Sequence, residues 1–370
     1  MLTGRFDSNN WILAFLAPLS ASKECACLYM VSTNPVPELP NVVPIYPPKW
    51  LTKIVGASSA RLMTFAWAAL RKRPHVIGGF HLLFNGITAA LMARLTRARS
   101  MYFCVGGMAE LSDGGIHAEN NITIRMETPD RVVEERLIRT VSEFDTIVTM
   151  GTRAVKSFQE RNVNADFHVV AGAIDSARFH PSAEEPSYDV VLTGRLAPVK
   201  RVDVFLEAAK HVVDRINDVR VLIVGDGPLR RELEQQSHDL GIERNVRFGG
   251  YLTDDEVVAR LRSSKIFVLT SDSEGLSLAM TEAMMCGLPA VVSNVGDLGD
   301  LVEDGVNGYL VPRRCPEAFA NRLVELLSDP VKLEAFSQAA RRTAMRHETQ
   351  ATIHRWDSIL ASFNRSASNG

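Results

Sequence analysis

The chain has 370 residues, 46% hydrophobic and 23% charged, with a formal net charge of -2 at neutral pH. That is the composition of a soluble, folded protein long enough for two domains that each bury a core, and it excludes a disordered chain. Its five cysteines (Cys25, Cys27, Cys104, Cys286 and Cys315) are scattered and odd in number, so neither a disulfide framework nor a zinc site is indicated.

The first thirty residues lack a basic start followed by a long apolar core, and "WILAFLAPL" is too short to span a bilayer. The expected compartment is the cytoplasm, and the N-x-S/T triplets at Asn121 and Asn364 are read as chance. Residues 1–101 hold eleven Lys or Arg against Asp7, Glu24 and Glu38, an excess of eight positive charges that the remainder must offset. One lobe is basic and the other acidic. Within the basic lobe, "PPKWLTKIVGASSARLMTFAWAALRKRP" mixes Trp50, Ile54, Phe65 and Trp67 with Lys49, Lys53 and Arg71 to Arg73. Two readings stand: a peripheral contact with an anionic membrane at its inner face, or a domain helix with a solvated basic face. No recognised nucleic-acid-binding motif accompanies the charge.

Strands are predicted in the first half at "ASKECACLYMVS", "PHVIGGF", "RSMYFCVGG", "FDTIVTMG" and "DFHVVAG". Over residues 172–189 Pro, Ser, Ala and acids cluster and the periodicity lapses, which places a linker at 176–187 between a domain over 1–175 and a second over 188–345. Residues 346–370 are expected to form a terminal helix and a disordered tail. The second domain alternates "YDVVLTG", "VRVLIVG", "NVRFGG", "KIFVLT", "LPAVVS" and "GYLV" with helical segments, the signature of a parallel sheet covered on both faces. The fold class is therefore α/β with two Rossmann-like, doubly wound domains, and the ligand site is expected in a cleft between them at the strands' carboxyl ends.

The strand ends carry the candidate chemistry. "TGRLAPVKRVD" sets Arg195 and Lys200 just past a strand, beside Gly194, where two cations could grip a diphosphate. "VGDGP" brings Gly225 and Gly227 to a tight turn that lets backbone approach a ligand, or that is only a turn. In "SDSEGLSLAMTEAMMCG" a loop with Glu274 leads into a helix whose free N–H groups at Gly275, Leu276 and Ser277 suit a diphosphate. Two turns further on, Glu282 stands in an almost wholly apolar run and needs a partner. A ribose diol could supply it, as could a neighbouring Arg.

"GRLAPVKRVDVFLEAA", "VLIVGDGPLRRELE", "VRFGGYL" and "SDSEGLSLAMTEAMMCGLPAVVSNVGD", in that order and spacing over about residues 145–327, resemble the family 4 glycosyltransferases of the GT-B fold. The resemblance implies that Arg195 and Lys200 hold the donor diphosphate, that Glu274 touches the donor sugar and that Glu282 accepts from the ribose. It also likens "VVAGAIDSARFHP", with Asp175 and Phe179, to the family's hinge, although Ala171 stands where Asn is usual. The amino-terminal half departs further. Little chain precedes Gly4, so the first strand is expected to be missing or shortened and Gly4 to be a remnant of a Gly-rich loop. The loop histidine usual after the strand "MYFCVGG" is replaced by Val105, Gly106 and Gly107, with His81 and His117 as candidate substitutes on the acceptor side.

The resemblance implies retaining transfer of a hexosyl group from a nucleotide sugar to a hydroxyl acceptor; the donor is expected to be UDP-linked in preference to GDP-linked, and the acceptor a glycan, or a lipid-linked glycan that the basic lobe would suit, in cell-surface polysaccharide synthesis. No cofactor and no metal are expected. The alternatives are a nucleotide-sugar-binding protein without transfer and an epimerase of the same fold. A dinucleotide oxidoreductase is disfavoured, since no G-x-G-x-x-G opens either domain.

Overall fold

The structure, a computed structural model, describes residues 1–4, 9–112, 115 and 128–367. The chain divides into two compact units, Met1–Ala173 with Thr349–Gly370, and Ile174–Glu348. Residues 176–187 therefore group with the second unit, and the terminal helix, expected to stand apart, groups with the first.

Among its described residues the first unit has seven strands: β1 (Leu2–Thr3), β2 (Leu28–Val31), β3 (Val42–Ile45), β4 (Val76–Phe80), β5 (Arg99–Cys104), β6 (Thr146–Thr149) and β7 (Asp166–Val169). They pair in parallel in the order β3-β2-β1-β4-β5-β6-β7. The first strand has two residues, too few to show any periodicity, yet it sits between β2 and β4 with Leu2 opposite Met30 and Gly78. The unpredicted β3 contains Pro44, which a strand tolerates at a sheet edge because one row of donors there has no partner to serve.

Up to residue 173, the helices among the described residues of this unit are α1 (Asn9–Ser20), α2 (Lys49–Val55), α3 (Ala57–Lys72), α4 (Ile87–Thr96), α5 (Arg131–Val141) and α6 (Thr152–Glu160). The aromatic-basic segment breaks into α2 and α3 at Gly56, whose φ of 81° lies where a side chain would be strained.

The second unit has β8 (Tyr188–Thr193), β9 (Val221–Val224), β10 (Val246–Gly250), β11 (Ser264–Leu269), β12 (Ala290–Ser293) and β13 (Gly308–Val311), one for each predicted run, in the parallel order β10-β9-β8-β11-β12-β13. Its helices are α7 (Val202–Val213), α8 (Arg230–Asp239), α9 (Asp254–Arg262), α10 (Leu278–Met285), α11 (Pro316–Ser328) and α12 (Pro330–Ala344). Every residue of β9 is buried, as a strand covered by helices on both faces requires. One core joins Val190, Ile223 and Ile266 of the sheet to Phe205 of α7 and Phe319 of α11. The last helix, α13 (Thr349–Ala367), returns to α1 of the first unit and buries Trp356.

Both sheets wind outward in two directions from their first strand, so each has a switch point: β1 beside β4, and β8 beside β11. Connections leave in opposite directions there, which opens a crevice at the carboxyl ends. At those places His81 follows β4, and Arg195 and Lys200 follow β8, while Gly106 and Gly107 follow β5 and Gly225 follows β9.

Candidate functional site

In the second unit β8 and β11 are hydrogen-bonded neighbours, and their ends bring two predicted residues together. Lys200 Nζ donates to Glu274 Oε1 at 2.6 Å, and Ser271 Oγ donates to the same oxygen at 2.6 Å. The loops are laced by backbone as well: Asp272 N donates to the Val199 carbonyl at 2.8 Å, and Thr270 Oγ1 donates to the Arg201 carbonyl at 2.9 Å. Glu274 Oε2 has no partner among the described residues. Arg195 lies exposed just past β8.

Two glycines fix these loops. A Cβ on Gly225 (φ 132°) would stand 1.9 Å from the Gly194 carbonyl oxygen, and one on Gly296 (φ 51°) 1.8 Å from the Glu274 carbonyl oxygen. The close approach at Gly225 is thus to the chain's own backbone, and Gly227 meets Leu196 in the same way at 2.4 Å. Around Gly194 an added Cβ would meet nothing within 4 Å.

Helix α10 starts at Leu278, capped by Ser277, whose hydroxyl accepts from Met280 N at 3.3 Å. The N–H groups of Gly275, Leu276 and Ser277 make no hydrogen bond among the described residues, as the first donors of a helix do. Glu282 is half-buried and likewise has no hydrogen-bond partner among the described residues. Burial pushes its carboxyl up to about 8, which nearby Arg178 only partly offsets. The Arg178 guanidinium instead reaches Asp255 at 2.8 Å.

Sequence reasoning passed over a second charge cluster beside this site. Arg314 donates to both Asp272 oxygens at 2.7 and 3.0 Å, and Arg201 lies 3.6 Å from the same carboxylate. The arginine pair holds the Asp272 carboxyl below its usual range. Only the fold brings residues 201, 272 and 314 together, so no local pattern announces them.

In the first unit the switch point carries His81, directly after β4, with φ 63° and its ring half exposed. Its Nδ1 is 3.0 Å from Glu110 Oε1, where a protonated Nδ1 donates to the carboxylate. Glu110 is buried and accepts three further hydrogen bonds, from Gly106 N at 2.7 Å, Tyr102 Oη at 2.8 Å and Leu82 N at 3.0 Å. Burial disfavours charge on both groups, but each steadies the other's ion: His81 is raised and Glu110 lowered from their ordinary values. A Cβ on Gly106 would stand 2.9 Å from Glu110 Cγ, so Gly106 makes room for that side chain, while Gly107 turns at φ 59°. Gly4 follows β1, one position beyond the Thr3–Gly79 pair, on the strand beside β4. His117 lies outside the described residues. Glu110 escaped the sequence reading, although a lone acid in "MYFCVGGMAEL" is the same signal that singled out Glu282.

Residues 174–343 match the family described as "Glycosyl transferases group 1". The matched stretch lies within the second unit. Among curated relatives, a poly(ribitol-phosphate) alpha-N-acetylglucosaminyltransferase of Staphylococcus aureus is 31% identical over 45% of this chain and 34% of its own. A D-inositol 3-phosphate glycosyltransferase of Rhodococcus opacus is 32% identical over 62% of this chain and 55% of its own. The chain thus spans about a third to just over half of these relatives. Among solved structures, Anabaena HepE in complex with UDP aligns with a TM-score of 0.72 at 17% identity, over 98% of this chain and 99% of that one. A likeness at that identity speaks to fold, and the fold is GT-B: two Rossmann-like units with parallel sheets.

Proposed function

We propose that the protein is a glycosyltransferase that moves a sugar, with retention, from a UDP-sugar to a hydroxyl of a glycan or lipid-linked glycan in cell-surface polysaccharide synthesis on the cytoplasmic side. The observation that carries this reading is the β8/β11 switch point. There Lys200 and Glu274 are joined at 2.6 Å, Arg195 is exposed, and among the described residues neither the N–H groups before α10 nor Glu282 has a hydrogen-bond partner. Each feature answers one part of a nucleotide sugar.

Breaking the anomeric bond leaves charge on a diphosphate while an oxocarbenium-like centre forms. Arg195, Lys200 and the α10 amino end are donors preorganised for that charge. Glu282 meets two ribose hydroxyls, and the open oxygen of Glu274 accepts from the sugar. Among proteins of this fold, HepE was solved with UDP and with UDP-glucose, and pneumococcal GtfA with UDP and GlcNAc, which supports uridine over guanosine.

The test is a thermal-shift series with UDP, GDP and ADP, because binding to the folded state raises its apparent stability. UDP-sugars that bind are then incubated with glycan acceptors, and the anomeric configuration of the product is read by NMR. A preferred shift with GDP would sink the base assignment; binding without any transfer would sink the enzyme reading.

A further inference from the structure

Helices α3 and α4 are apolar on the wrong side. Toward the sheet they bury mostly small residues, Ala60, Ala68 and Ala69 on α3 and Ala89 and Ala93 on α4, around Phe65 and Met92. Larger apolar side chains line the outside: Met63, Trp67 and Leu70 on α3, and Ile87, Leu91 and Leu95 on α4, each at helical spacing. Trp67 and Leu95 are each 60% exposed. The preceding α2 has no buried residue and exposes Trp50 and Ile54, the latter by 73%.

These helices share one side of the first sheet. The β3-to-β4 and β4-to-β5 connections both run toward β7, so right-handed crossovers put α3 and α4 on one face, and α3 contacts both α2 and α4. Half of the large apolar side chains that are exposed among the described residues fall within residues 50–95. A monomer in water rarely leaves so contiguous an apolar surface open.

Charge decides what covers it. Residues 39–109 contain nine Lys or Arg and no Asp or Glu. Arg71 lies over the Trp67 ring at 5.8 Å, an amphipathic pair suited to a headgroup boundary. A second copy of the face would set these cations against one another, whereas an anionic bilayer satisfies both the apolar rows and the charge.

We propose that α2, α3 and α4 form a face that seats the first unit on an anionic membrane, with Trp50, Trp67 and Leu91 entering the boundary between headgroups and acyl chains. The proposal is independent of the transfer reading, since it needs nothing of the second unit.

Full-length protein is sedimented with vesicles of phosphatidylcholine alone and of phosphatidylcholine with phosphatidylglycerol. The expected result is retention on the anionic vesicles only, with Trp fluorescence quenched by lipids brominated on their acyl chains. Replacing Arg71, Lys72 and Arg73 together by Gln should lower partitioning by roughly 100-fold at low salt, on the order of 1 kcal/mol per charge. Trp50→Ser with Trp67→Ser and Leu91→Ser, all exposed positions that should leave folding unchanged by circular dichroism, should abolish the quenching. Equal retention on neutral vesicles, retention without acyl-chain quenching, or no retention at all would each overturn the proposal, and all three are read on the unaltered chain; a dimer by light scattering in the last case would assign the face to a second copy.

Discussion

Lys200 and Glu274 stand 74 positions apart in the chain, yet their side chains meet at 2.6 Å where β8 and β11 end. Glu274 is the more enclosed partner, 10% exposed against 22% for Lys200. Lys200→Ala should therefore leave an enclosed carboxylate served only by Ser271, costing about 1–3 kcal/mol of stability as well as activity. Arg195→Ala, at an exposed site, should preserve the unfolding midpoint and lose roughly 100- to 1000-fold in turnover, by analogy with other preorganised donors to developing charge. Denaturant unfolding beside steady-state rates distinguishes the pair; near-full turnover in folded Arg195→Ala would remove Arg195 from the site.

Glu282 gives a pH signature before any ligand is known. Its carboxyl titrates near 8 in the folded protein against an ordinary 4.5, so its contribution to stability is fully present below about pH 4.5 and is lost as pH rises through 8. Across that window the folded state holds a proton that the unfolded state has released. Glu282→Gln, which carries no charge, should be more stable than the parent at pH 8.5 by on the order of 2–4 kcal/mol and nearly equal to it at pH 4. A flat difference from pH 4 to 8.5 would contradict this.

The same carboxyl should report ligand binding. If ribose hydroxyls donate to it as a carboxylate, binding UDP at pH 7 must expel its proton. Titration calorimetry in buffers of different ionisation enthalpy should show release of a fraction of a proton by the parent and none by Glu282→Gln. Glu282→Gln should also raise KM with little change in kcat, since a ribose contact is made equally before and during reaction.

Glu110→Gln removes one of two acceptor oxygens from a group that four donors address. Two buried donors would then face an NH2 group, and the expected cost is about 2–4 kcal/mol. His81 should titrate lower than in the parent, because burial still disfavours its charge and the carboxylate that raises it is gone. A raised folded value means that His81 adds stability below pH 6.5 and loses it as pH climbs through the folded value, so this stretch of the stability profile should flatten in the variant. NMR titration of the His81 ring measures the shift directly, and an unchanged midpoint would refute the coupling.

Three glycines near the site should part company. Gly225→Ala and Gly296→Ala would place a methyl within 2 Å of a carbonyl oxygen at φ values that L residues rarely adopt, and each should lower stability by more than about 3 kcal/mol. Gly194→Ala meets nothing within 4 Å and should unfold like the parent. Equal stability of all three variants by chemical denaturation would show that the loops are not built as described.

Much was legible without coordinates, because the relevant signals are local. The six β-branched runs of the second unit became β8 to β13, since a strand buried on both faces must be apolar throughout. The capping of α9 by Thr253 with Glu256, and the turn of Gly241 at φ 69°, are likewise properties of a few adjacent residues. Glu282 was suspected from its apolar neighbours alone, because an unpaired carboxylate there is costly whatever the fold. What local pattern could not supply was pairing across distance. A two-residue β1 exists only because β2 and β4 flank it, the end of the chain returns through α13 to the first unit, and Glu110 reaches His81 only because β4 and β5 are neighbours in one sheet. Sequence sets which residues are expensive to bury and where the chain turns; tertiary structure alone decides which strand ends meet, because register and neighbour order belong to the whole sheet, and it is at those meetings that Lys200 finds Glu274 and Arg314 finds Asp272.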